Sequence, residues 1–333
     1  MKAITYAKYG PPEVLQLADV EKPAPGDDEL LIRVRAAEAT KADCELRGFK
    51  FSVNWFWLPL RIAVGITRPR RKILGGYFAG EIAAVGKDVT GFTVGDAVFG
   101  SAGLRMGAYG EFAALPSKCT IAAKPHNMSF AEAAAVPLGG LNALHFMRLA
   151  KIKDGDTVLI NGAGGSIGAH AVQIARSMGA EVTAVDKAQK AEMLERLGID
   201  HFIDYTRENF ARMGKTYDVV FDMVPRSSYR ACMAVLKPGG RYFTGNPRLS
   251  VMLRTVLTNR FTDKHASFAF AGETIEELDT LRQMIEDGKI VSIVDRVLPM
   301  GEAATAHRLV ETEQRNGAIV LSIGEPEETE NEM

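Results

Sequence analysis

Cysteine is scarce in this 333-residue chain: Cys44, Cys119 and Cys232 stand far apart, and no C-x-x-C pair occurs. That excludes a disulfide framework and a cysteine-rich zinc site, and it points to a reducing compartment, the cytoplasm. An excess of one charge is also missing. Lys and Arg number 40 against 41 Asp and Glu, a net charge of −1, so no long-range field favours nucleic acid or an anionic membrane. The local run Arg68-Pro-Arg-Arg-Lys72 reads as a solvated loop. No long apolar run is present. The stretch 53–66 holds Pro59 and Arg61 and is too short to span a bilayer. Residues 2–9 read as a strand, not as a signal peptide. Internal repeats are absent, which excludes solenoids and propellers.

What is present is ordinary for a soluble globular protein: 47% hydrophobic and 24% charged residues, in a chain long enough for two domains. The stretch around which the rest is organised runs Thr157-Val-Leu-Ile-Asn-Gly162-Ala-Gly-Gly165-Ser166-Ile167-Gly168. Val158, Leu159 and Ile160 suit a parallel strand covered on both faces. The glycines permit a sharp turn and close approach of a ligand. From Gly165 onward the apolar period becomes helical, and Gly179 ends it. A helix opening at a glycine turn offers free N–H groups and a positive dipole end to a phosphate. A second strand, 181–185, then ends at Asp186. Strand, turn, helix, strand and acid follow in the order of a dinucleotide-binding βαβ unit, where the acid holds the ribose hydroxyls. The glycine spacing is not a strict G-x-G-x-x-G, and the alternative is a βαβ unit with a tight turn and no ligand. No Lys-Ser/Thr pair follows the glycines, which excludes a P-loop.

The remaining pattern changes character along the chain. Up to residue 123 it is mostly β, with strands expected at 3–6, 15–18, 29–37, 80–85, 97–99 and 109–115 between Pro and Gly turns. From 129 onward strands and helices alternate, and six strands fit a doubly wound parallel sheet. A helix over 274–287, a strand over 294–298, a helix over 301–311 and a strand over 318–323 complete the chain. The acidic tail 324–333 has the composition of a disordered segment. The segment 48–73 is dense in aromatics, including Trp55 and Trp57. It reads either as a helix buried in the β-rich core or as an apolar wall of a substrate pocket.

Many of these stretches together resemble the medium-chain dehydrogenase/reductase superfamily, in its zinc-free quinone oxidoreductase-like branch. The resemblance runs from Met1 to about Ile323. It is carried by Gly10-Pro-Pro-Glu-Val-Leu15, Gly80-Glu-Ile-Ala-Ala-Val-Gly86, Gly107-Ala-Tyr-Gly-Glu-Phe112, Ala133-Ala-Ala-Val-Pro137, Gly162–Gly168, Tyr217-Asp-Val-Val-Phe-Asp222, Leu236-Lys-Pro-Gly-Gly240 and Gly317-Ala-Ile-Val-Leu321, among others. It implies an α/β protein with a GroES-like β-rich catalytic domain over 1–123 and 274–323, a Rossmann domain over 124–273, and an active site in the cleft between them. It also implies an NAD(P)H-dependent oxidoreductase acting on a small hydrophobic carbonyl or quinone, with NADP(H) or NAD(H) as cofactor, and a homodimer paired through its last Rossmann strand.

Residue by residue, the superfamily's catalytic zinc positions match Thr40, Gly76 and a place near Leu138. None is an ordinary zinc ligand, so no metal is expected. The resemblance puts Thr40 and Tyr77 near the substrate oxygen as donors, with Asp43 ordering a water or a side chain. The branch often has Asn and Asp where this chain has Thr40 and Tyr77, so packing is the alternative role for all three. For the cofactor it implies Asn142, Gly245 and Asn246 near the nicotinamide ribose, and Gly162, Gly165, Ser166, Ile167 and Gly168 at the pyrophosphate. Phe268 and Ala269 border the nicotinamide ring. Asp186, Lys190 and Tyr205 lie at the adenosine end, where the acid favours NADH and the other two favour NADPH. Two further readings stay open: a zinc-independent alcohol or aldehyde dehydrogenase, and a nucleotide-binding sensor without turnover. A methyltransferase is disfavoured by the β-rich amino-terminal part.

Overall fold

A computed structural model describes residues 1–51, 57–245, 248–269 and 272–324. The chain divides into two compact units. The first holds Met1–Lys50, Arg61–Pro137 and the chain from Val294 onward, and the second holds Phe51–Leu60 and Leu138–Ile293.

Among the described residues, the second unit is built on a sheet of six strands. Their order is His201–Asp204, Glu181–Asp186, Thr157–Asn161, Tyr217–Asp222, Leu236–Thr244 and His265–Phe268, each pair parallel. Numbered along the chain this is 3-2-1-4-5-6, the Rossmann order. The central strands explain their own placement. Val158, Leu159, Ile160, Val219, Val220 and Phe221 are fully buried, as a parallel strand covered on both faces requires. The order reverses between Thr157–Asn161 and Tyr217–Asp222, so their carboxyl ends flank the crevice where such sheets bind ligands.

The first unit carries a mostly antiparallel sheet. Its path runs Val294–Pro299, Ala318–Ser322, Glu29–Ala39, Tyr77–Val85, Ala97–Ser101 and Thr120–Ala123, with Phe112–Pro116 also paired to Glu29–Ala39. A core of Leu30, Ile32, Val34, Phe78, Ile82 and their neighbours fills it. The chain returns to this sheet at its end because Ile319 and Leu321, both buried, pair beside Glu29–Ala39.

The expected domain boundaries need moving. The helix Phe130–Ala134 packs on strands of the first sheet, so that unit extends past residue 123 to Pro137. The helix Ile275–Glu286 sits in the second unit, so the return begins at 294 rather than 274. The tie is polar as well as apolar. Glu277 pairs with His145 at 3.5 Å, and the Gln173 amide exchanges hydrogen bonds of 3.2 and 2.8 Å with the Val291 backbone. The segment 48–73 also corrects one expectation. Its helix Trp57–Val64 contains no buried residue, which removes the buried-core reading. Trp55 lies outside the described residues, as does the acidic tail from 325.

Candidate functional site

The strand Thr157–Asn161 runs into Gly162, whose φ of +86° lies in the left-handed region that favours glycine. The N–H groups of Gly162 and Ala163 donate to the Val185 carbonyl at 3.0 and 3.2 Å, which pins the turn to the neighbouring strand. The helix Ser166–Ser177 then starts at Gly165 with no side-chain cap and no acid in its first turn. Its leading N–H groups and dipole are therefore available to an anion. Ser166 Oγ, beside Ile167 in that first turn, has no hydrogen-bond partner among the described residues. Gly168 closes the motif: a Cβ there would stand 2.2 Å from the Gly162 carbonyl oxygen. Helix and turn pack this closely only without a side chain.

Asp186, at the end of Glu181–Asp186, reaches back to the turn. Its carboxylate accepts from Gly164 N at 2.7 Å and from Lys187 N at 2.8 Å. Lys190 is buried, and its ammonium donates to the Gly164 carbonyl at 2.8 Å. This is not the outward-facing phosphate ligand that the sequence indicated. The short 3₁₀ turn Ala188–Lys190 folds the side chain back over the glycines. Tyr205 stays exposed just beyond the strand His201–Asp204. An uncapped helix start, a packed glycine turn and an acid beside it are the features that a nicotinamide dinucleotide requires, so these residues fit that group.

At the switch point Asn161 and Asp222 meet across the two central strands. Asn161 Nδ2 donates to Asp222 at 2.9 Å. Tyr242 Oη at 3.1 Å, Val224 N at 3.2 Å, Cys232 Sγ at 3.7 Å and the Ser227 hydroxyl donate to the same carboxylate. Burial raises the Asp222 pKa and these donors oppose the rise. The cluster fixes the 223–228 loop against the sheet. Asp222→Ala strands several buried donors at once, so we expect a loss of roughly 2–4 kcal/mol in denaturant unfolding. Gly245 lies nearby in the same unit, where a Cβ would stand 3.2 Å from Met223 and 3.3 Å from Phe146. Asn142 Nδ2 is tied to the Leu138 carbonyl at 2.9 Å. Phe268 and Ala269 are half-buried at the end of the edge strand. Asn246 is outside the described residues.

In the first unit Thr40 caps the helix Lys41–Gly48. Its hydroxyl donates to Asp43 at 2.6 Å and accepts from Asp43 N at 3.1 Å. The expected role of Thr40 as a donor to substrate is thereby displaced: its one hydroxyl hydrogen is committed to Asp43, and the residue is buried. Asp43 also accepts from Gly75 N at 3.1 Å, two residues before the half-buried Tyr77. Burial raises the Asp43 pKa, against hydrogen bonds from Thr40, Gly75 and Tyr109. Among the described residues no group of three or more His, Cys, Asp or Glu is placed to hold a metal ion. Cys44 is buried, its thiol pKa pushed up by burial and directed at the His307 carbonyl at 3.7 Å.

Sequence reasoning passed over Arg47, Tyr109, His307 and Asp222. Arg47 lies four residues after Asp43 on one short helix, a spacing that could have drawn attention. His307 carried no local signal at all.

Two family models match the chain: an alcohol dehydrogenase GroES-like domain over residues 26–126 and a zinc-binding dehydrogenase over residues 197–321. A 2-methylene-furan-3-one reductase of Solanum lycopersicum is 31% identical, over 96% of this chain and 79% of its own length. A quinone oxidoreductase of Pseudomonas aeruginosa is 30% identical, over 96% of this chain and 99% of its own. Among solved structures, the quinone oxidoreductase from Coxiella burnetii superposes with a TM-score of 0.85 at 29% identity, covering 97% of this chain and 99% of that one.

Proposed function

Because this chain belongs to the medium-chain dehydrogenase/reductase superfamily, we propose that it is an NAD(P)H-dependent oxidoreductase that passes hydride to a quinone or an α,β-unsaturated carbonyl without zinc. The observation that carries the reading is the pairing of a closely packed glycine turn with ligand positions occupied by Thr40, Gly76 and Leu138. The names of the relatives, a quinone oxidoreductase and an enone reductase, support the same substrate class. The nicotinamide, when bound, supplies the hydride chemistry. The chain positions it: the start of Ser166–Ser177 receives the pyrophosphate, Asp186 the ribose hydroxyls. Simple alcohol oxidation loses its usual alkoxide stabilisation when no Lewis acid is present. A conjugated carbonyl spreads its developing charge, and hydrogen-bond donors suffice to hold it. We assign that donor to the Tyr77 hydroxyl, with Asp43 and Thr40 shaping its approach. The test follows NADH and NADPH absorbance against quinones, enones, aldehydes and alcohols. Turnover confined to alcohols, or none with any carbonyl, sinks the proposal.

Both cofactors are accepted in this reading. Asp186 repels a 2′-phosphate while the exposed Lys187 beside it attracts one, each by about 1–3 kcal/mol, so the preference stays below about a hundredfold. Asp186→Ser should move the ratio of kcat/KM values towards NADPH and Lys187→Ala towards NADH. Lys190→Ala should instead weaken both cofactors alike, because the ammonium holds the Gly164 carbonyl. An unmoved ratio in both Asp186→Ser and Lys187→Ala puts the adenosine end elsewhere.

We also assign a homodimer in the cytoplasm. Three unpaired cysteines support the compartment. Among the described residues no helix is long and apolar enough to cross a membrane. The strand His265–Phe268 ends its sheet, and the preceding helix Leu249–Phe261 turns Leu249, Leu253, Val256, Leu257 and Phe261 to solvent. Leu253 and Phe261 are 68% and 76% exposed, more than a solitary soluble chain usually tolerates in one stripe. Light scattering should give a dimer mass at micromolar concentration, and Leu253→Glu with Leu257→Glu a monomer. A wild-type monomer refutes the assignment.

A further inference from the structure

Four buried polar side chains stand in line within the first unit: Arg47, His307, Tyr109 and Asp43. They come from the helix Lys41–Gly48, the turn around residue 109 and the helix Ala303–Glu311. Arg47 Nη1 lies 3.1 Å from His307 Nδ1. His307 Nε2 lies 3.1 Å from Tyr109 Oη. The Tyr109 hydroxyl also acts on the Asp43 carboxylate, opposing the rise that burial gives its pKa. Arg47 is itself held by the Gly10 carbonyl at 3.1 Å and by an ion pair with Glu311.

The direction of every bond follows from the first. A guanidinium only donates, so His307 Nδ1 must accept and the ring proton must sit on Nε2. That N–H donates to the Tyr109 oxygen. Tyr109 turns its own hydrogen to Asp43, which accepts. A second proton on His307 would oppose the Arg47 N–H. Burial and the Arg47 charge accordingly push the His307 pKa down to about 3. Asp43 gathers the chain's output together with Thr40 N, Thr40 Oγ1 and Gly75 N at 3.1, 2.6 and 3.1 Å.

The segment Leu74–Gly75 lies directly on Tyr109. Tyr109 N donates to the Leu74 carbonyl at 3.0 Å and Ala108 N to the Gly75 carbonyl at 3.2 Å. A Cβ on Gly75 would meet the Tyr109 ring at 2.6 Å. We propose that this one-way relay holds the 74–77 segment against the start of the helix Lys41–Gly48, which makes Tyr109 and His307 positioning residues for Tyr77. Only its catalytic consequence rests on the function proposed above. The geometric part stands on the relay.

Tyr109→Phe keeps the ring that packs on Gly75 and removes the hydroxyl. His307→Gln keeps an acceptor towards Arg47 and a donor towards Tyr109, whereas His307→Leu keeps neither. Amide hydrogen exchange at Gly75 should quicken about tenfold or more in Tyr109→Phe and His307→Leu, with Val34 and Ile82 in the same sheet unchanged. His307→Gln should restore protection. With an enone or quinone, kcat should fall about tenfold in the two disruptive variants while the cofactor KM stays within about twofold. Nitrogen chemical shifts of wild-type His307 should show the Nε2–H tautomer. The proposal is overturned by a proton on Nδ1, by unchanged Gly75 exchange in Tyr109→Phe, or by changed exchange with unchanged kcat. If wild type turns over no carbonyl at all, the functional reading fails, and the tautomer and exchange measurements still decide the relay.

Discussion

Gly168→Ala should weaken the binding of both NADH and NADPH by about a hundredfold or more, because a displacement near 1 Å at such a site commonly has that effect. The added Cβ would sit 2.2 Å from the Gly162 oxygen and 2.7 Å from the Ala163 Cα. Both are backbone atoms of the turn itself, so no side chain can swing aside. Either the helix start lifts from the turn or the turn opens, and either movement misaligns the N–H groups that meet the pyrophosphate. The strain in the free protein should lower stability by about 1–3 kcal/mol. Quenching or enhancement of nicotinamide fluorescence measures the affinity, and a thermal melt separates it from unfolding. Gly301→Ala is the control, since nothing lies within 4 Å of a Cβ there. If Gly168→Ala binds both cofactors about as tightly as wild type, the glycine turn is not the pyrophosphate site.

Stability should fall with acid through His307, more steeply than surface histidines would allow. The folded pKa is held at about 3, against 6.5 for the free side chain, by burial and by Arg47. Below the unfolded value the unfolded chain binds the proton and the folded chain does not. Stability due to this group is therefore complete above about pH 6.5 and is lost as pH falls towards 3. The slope approaches about 1.4 kcal/mol per pH unit, with a total on the order of 5 kcal/mol across the window. Asp43 works in the opposite sense, because burial raises its pKa and the folded state then takes up a proton more readily. The comparison that isolates His307 is denaturant unfolding by circular dichroism, for wild type and His307→Gln, near pH 7 and pH 4.5. The wild type should lose about 2 kcal/mol more than the variant over that interval. Equal losses would show that His307 titrates as a solvated imidazole, and the buried contact with Arg47 would then be wrong.

Much of the parallel unit was legible before any coordinates. A run such as Val158-Leu-Ile160 can be satisfied only with both faces covered, and a glycine turn between strand and helix has few other uses. These are local constraints, so the succession of six strands along the chain, and Asp186 at the end of the second, followed from pattern and spacing. The boundary near residue 274 was misplaced for a physical reason. The helix Ile275–Glu286 is amphipathic, and amphipathicity says that a helix buries one face without saying against which sheet. The exposed stripe of Leu249–Phe261 escaped for the same reason, since an apolar period reads alike whether its face is covered or not.

By itself, then, the sequence determined which elements form and where the glycine turn falls, because propensity, period and glycine spacing act over a few residues. Tertiary structure alone decided where the polar side chains point. Lys190 turns inward onto Gly164, and Thr40 commits its hydrogen to Asp43. His307 meets Arg47 across 260 residues of chain. Such contacts depend on how distant strands bring their connecting segments together. A buried polar group then takes whichever partner that packing presents, since leaving it unpaired costs more than any local preference supplies.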